Sequence, residues 1–87
     1  MQIAKLSAAK LEAAIEKANR AEMFQVDAMI GAGRGNERIS EIRVAAQNPS
    51  DLLAIAYCEA LNAGNALRNE AERRKRYHGS LKPVKAV

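Results

Sequence analysis

Three glycines fall within five residues, Gly31-Ala32-Gly33-Arg34-Gly35, in a chain with neither glycine nor proline before them. Each glycine gives up backbone freedom in a helix and costs about 1 kcal/mol relative to alanine there. A helix that reaches Ile30 must therefore break at this point. The break divides the chain into one long periodic stretch before Gly31 and a second pattern that starts afresh at Asn36.

The first stretch is cleanly amphipathic. Ser7 is placed to cap a helix whose apolar positions are Ala8, Leu11, Ala14, Ile15, Ala18, Phe24 or Gln25, Val26 and Ile30, with Lys10, Glu12, Glu16, Lys17 and Arg20 outward. Near Glu22 and Met23 the apolar stripe is expected to shift by one position, as a straight helix drifts from a seven-residue repeat. Residues 1–6 are expected to be a frayed lead-in. After the glycines, Asn36 can cap a shorter helix from Glu37 to Gln47 with Ile39, Ile42, Ala45 and Ala46 inward. A strand over Ile39–Val44 would need a partner strand, and no other stretch offers one.

The third element is predicted from Asn48 to Gly79. Asn48 is a suitable N-cap, Pro49 fits the first helical position, and Asp51 suits the positive end of the helix dipole. Leu53, Tyr57, Ala60, Gly64, Leu67 and Ala71 recur at steps of three and four, and Arg73-Arg74-Lys75-Arg76 precede Gly79, a natural helix terminator. The expected fold is all-α: two long antiparallel helices forming a hairpin, plus a short middle helix. Residues 1–79 make one helical domain and 80–87 an extended basic tail.

Composition decides how such helices are held together. Of the 87 residues 48% are hydrophobic, but much of that is alanine, and Phe24, Tyr57 and Tyr77 are the only aromatics. Alanine favours a helix yet adds little core volume. One cysteine, Cys58, and one histidine, His78, make neither a disulfide nor a structural zinc site. Helices of this kind pack closely, recruit another chain, or both. The longest apolar run, Leu52 to Cys58, is too short to cross a bilayer, no signal-peptide core opens the chain, and an unpaired thiol suits a reducing compartment. A cytoplasmic protein with no membrane partner is expected. The formal charge of +4 divides into +1 up to Gln47 and +3 from Asn48 onward.

Two stretches are candidate contact surfaces. Ala56, Ala60 and Gly64 stack along one line of the last helix and, with Leu53, Tyr57 and Leu67, form a face for self-association or for packing against the first helix. Arg68, Arg73, Arg74, Lys75 and Arg76, with Lys82 and Lys85, could dock an acidic protein surface or nucleic-acid phosphates. Four consecutive cations on a helix form a collar, which also simply complements the helix dipole. Arg34, on the glycine-rich tip, is a candidate contact residue of a flexible loop; a phosphate-binding loop would need a preceding strand, a lysine and a hydroxyl that this segment lacks. Cys58 lies on the most apolar turn and reads as an inert buried thiol, Tyr57 as a buried anchor with a polar tip. No nucleophile has a base at a recognisable spacing, so no catalytic residue, metal site or cofactor is expected.

Asn48-Pro49-Ser50-Asp51-Leu52-Leu53-Ala54 and Asn65-Ala66-Leu67-Arg68-Asn69 resemble the turn and second-helix segments of the helical-hairpin subunits of type III secretion needles and inner rods. The likeness covers about a quarter of the chain, and it departs at Arg73 to His78, where those subunits have an apolar helix end that packs inside a filament. The resemblance implies a filament or rod subunit, and no residue role is carried over from it. In size and basic helical composition alone the chain is similar to phage-encoded modulators of host machinery. The expected function is a small non-catalytic helical interaction protein that self-associates, a dimer being favoured, and docks to another macromolecule. A nucleic-acid-binding accessory protein using the basic helix end is the alternative.

Overall fold

The computed structural model of the chain describes residues 2–86, with side chains described through Tyr77. A single 3-10 turn (Ile3–Lys5) leads into α1 (Ala8–Gly31), followed by α2 (Ile39–Ala45) and α3 (Leu52–Ala86), and no strand occurs among the described residues. The lead-in to α1 lies beside Arg74, while Met29 near its end packs on Ala54, so α1 and α3 run antiparallel. α2 folds onto α3. The all-α hairpin with a short middle helix is as the periodicity predicts.

The helix ends follow from local chemistry. Ser7 caps α1, its Oγ accepting a hydrogen bond from Lys10 N at 3.2 Å. At the other end Gly33 adopts φ +76°, Gly33 N donates to Ile30 O at 3.0 Å and Arg34 N to Met29 O at 2.8 Å. This is the paired-bond termination that needs a left-handed residue just past the helix, where a Cβ is disfavoured. Asn36 does not cap α2. Arg38 stands before its first residue, and Glu41 accepts a hydrogen bond from Arg38 N at 2.8 Å.

Asn48 does not cap α3 either. Asn48 to Asp51 form a turn closed by Asp51 N to Asn48 O at 3.0 Å, with Ser50 N donating to Asn48 Oδ1 at 3.1 Å. Pro49 occupies the second position of that turn, which its fixed φ favours. The capping role falls to Asp51, whose Oδ1 accepts from Ala54 N at 3.2 Å. At the far end α3 passes Gly79 and continues to Ala86 in place of the expected extended tail. One interior glycine is a cost of about 1 kcal/mol, too small on its own to end a helix. The expectations for the side chains of His78, Lys82 and Lys85 lie outside the described residues.

Along α1 the buried residues are Leu11 and Met29, and Ile15, Ala18, Glu22, Gln25 and Val26 are half-buried between them. Those positions keep steps of three and four throughout, so the expected shift near Met23 does not occur. Glu22 holds the inward place, and Phe24 and Ile30 face out. The core is small: Leu11, Met29, Ile42, Ala54 and Leu67, with Leu53, Tyr57, Cys58, Ala45 and Ala46 packed partly buried around Met29, Ile42 and Ala54.

Candidate interaction surfaces

The face of α3 singled out by periodicity is spent mainly within the chain. Gly64 and Leu67 are buried, and Leu53, Ala56, Tyr57 and Ala60 are half-buried. Gly64 is where the two long helices exchange charge across the seam. A Cβ at that position would run into Glu22 Oε2 and both terminal nitrogens of Arg68. Glycine thus leaves the space in which Glu22 Oε2 approaches Arg68 Nη1 to 2.7 Å, a charge contact that is not aligned as a hydrogen bond. Arg68 also donates to Asn19 Oδ1 and Asn65 Oδ1, each at 2.9 Å. The Arg68 and Glu22 side chains are half-buried, 35% and 23% exposed, so solvent still screens the pair.

The basic run divides into members paired within the chain and members with no ion pair among the described residues. Glu70, its side chain only 9% exposed, accepts from Arg73 at 2.8 Å and from Arg74 at 2.6 Å. Those bonds, Arg73 first, hold the Glu70 carboxyl down at about 2 and raise Arg73 above the usual guanidinium range. Arg74 Nη2 reaches over to the carbonyls of Ile3, Ala4 and Leu6, the last at 2.8 Å. The lead-in is therefore pinned, not frayed. Lys75 and Arg76 are exposed and have no ion pair among the described residues. No spacing rule pairs Arg74 with Leu6, because the partners are backbone carbonyls from the other end of the chain.

Arg34 is not a mobile loop contact. Its guanidinium is gripped on two sides: Nε and Nη2 donate to Glu37 at 2.7 and 3.1 Å, and Nη1 and Nη2 donate to Asp51 at 2.8 and 2.9 Å. Two planar forks sharing one cation make a rigid clamp. It ties the glycine loop to the residue just before α3. The Asp51 bonds, then those of Glu37, push the guanidinium pKa further up, and Arg34 holds both carboxyls below their usual range, Asp51 with help from Ala54 N.

Fold and surface together define a class: a small all-α hairpin protein, clamped at its loop end and rich in exposed apolar side chains. Among the described residues no three His, Cys, Asp or Glu side chains gather as a metal group, and no helix is long and apolar enough to cross a membrane. Compared with known proteins, the chain matches no protein-family model, no curated protein and no solved structure.

Proposed function

We propose that this chain is a non-catalytic helical interaction protein that self-associates and docks to another macromolecule. The observation that carries this reading is the imbalance of its apolar residues. Among the described residues five hydrophobic ones are buried, while Met23, Phe24, Ile30, Ile39, Val44, Leu52 and Tyr77 are 47% to 72% exposed. Scattered exposed apolar side chains are ordinary, but adjacent large ones such as Met23-Phe24 favour a partner surface. Apolar contact outweighs charge in such docking. Arg68, Arg73 and Arg74 already pair with carboxylates of their own chain, Arg73 while still exposed, which leaves Lys75 and Arg76 as the cations of the run with no ion pair among the described residues.

Light scattering and an electrophoretic shift at two salt concentrations test the reading together. The expected result is a mass above that of one chain that survives moderate salt, with no nucleic-acid shift. A shift at low salt that vanishes steeply as salt rises, from a monomeric protein, would establish the nucleic-acid alternative instead.

A further inference from the structure

The outward side of α1 carries a feature that the seam residues do not explain. Met23 and Phe24 are 61% and 69% exposed, and they border a shallow hollow of about 430 Å³ together with Glu16, Arg20 and Asp27. Asn19, which accepts from Arg68 at the edge of the seam, completes the lining, and every one of these residues belongs to α1. Arg20 makes only a loose contact with Glu16, at 3.8 Å with both side chains 71% exposed, and Asp27 has no ion pair among the described residues.

We infer that this face binds a second copy of the same chain, α1 against α1 antiparallel, about a two-fold axis between Met23 and Phe24. This pairing rests on the self-association proposed above and assigns it a surface other than the Ala56, Ala60 and Gly64 line. Self-complementarity is what singles out a second copy, since a two-fold interface places one patch against itself. Arg20 lies three residues before Met23 and Asp27 three residues after Phe24, so in an antiparallel pair each Arg20 stands across from Asp27 of the other copy. Seven residues of helix span about 10.5 Å, so the two ion pairs bracket the four central apolar side chains. Met23, Phe24 and their copies fill the hollow between the brackets. A partner of unrelated sequence has no reason to match this arrangement of one cation and one anion equidistant from an apolar centre.

The test is a charge swap read by sedimentation equilibrium, with circular dichroism to verify that each variant stays helical. These side chains are exposed, so the hairpin is expected to fold in every variant. Arg20→Asp and Asp27→Arg each place like charges opposite one another twice and should weaken dimerisation by at least about tenfold. The double variant R20D/D27R restores opposite charges and should recover dimerisation to within about threefold of the parent. Phe24→Ser should weaken it as well. A dimer unaffected by the single swaps and by Phe24→Ser overturns the assigned face and leaves self-association standing. A parent protein that stays monomeric at every concentration overturns both.

Discussion

Glycine is used at Gly33 and Gly64 for opposite reasons, and the difference is measurable. Gly33 sits at φ +76°, where any other L-residue is strained, whereas Gly31 has ordinary φ and nothing within 4 Å of the place a Cβ would occupy. Gly33→Ala should cost about 1–2 kcal/mol. Gly31→Ala should cost nothing and can add up to about 1 kcal/mol of helix preference. Chemical denaturation of the two variants checks the contrast. At Gly64 the obstruction is the ends of two flexible side chains, Glu22 and Arg68, and not backbone. Gly64→Ala displaces a partly exposed ion pair worth up to about 1 kcal/mol and gains a similar helix preference, so a near-neutral result is expected. Gly64→Leu also forces the two helices apart and should destabilise by about 1–3 kcal/mol. Glu22 was hidden in the sequence for a related reason. A carboxylate reads as surface until the glycine and the arginine opposite it are known to share its level.

The helices themselves were legible, because Ser7 is an effective cap and the steps of three and four along 11–29 and 53–71 admit only an amphipathic helix. The loop was not. Gly31 to Gly35 reads as a flexible tip, and the residue that makes it rigid is Asp51, seventeen positions beyond Arg34. Likewise the capping preference that favours Asn48 is blind to the use of Pro49 in a turn, which moves the cap to Asp51. Because Asp51 both caps α3 and receives Arg34, the clamp couples the end of α1 to the start of α3. Arg34→Lys should recover less than about half of the melting temperature lost in Arg34→Ala, since one ammonium cannot make two planar forks. Amide exchange over 31–38 should rise in both variants. Equal stability of Arg34→Lys and the parent would show that the clamp is incidental. Acid should act on the same elements. Glu70, Asp51 and Glu37 have carboxyls held below their ordinary values, so each favours the folded state above its unfolded pKa and loses that contribution as pH falls toward its folded one. For Glu70 the loss runs from 4.5 down to about 2. Thermal melts across this window should fall with pH, and Glu70→Gln should flatten the decline.

Taken whole, the hairpin is long and thin, 55 × 22 × 20 Å with a radius of gyration of 16.8 Å. A compact chain of this length would have a radius of about 12 Å. Its accessible surface is 6535 Å², against about 5,000 Å² for a compact monomer of the same mass. Two alanine-faced helices with one short helix at their loop end cannot enclose much, and Met23, Phe24, Val44 and Leu52 remain outside. In the proposed dimer a second chain covers part of this surface. Thermal unfolding followed over a hundredfold range of protein concentration tests that coverage most directly, because association with the folded form raises the melting temperature by mass action. A melting temperature that climbs with concentration, alongside a mass of two chains at the upper end, is the predicted result. A melting temperature independent of concentration, with the mass of a single 9.5 kDa chain throughout, would contradict it.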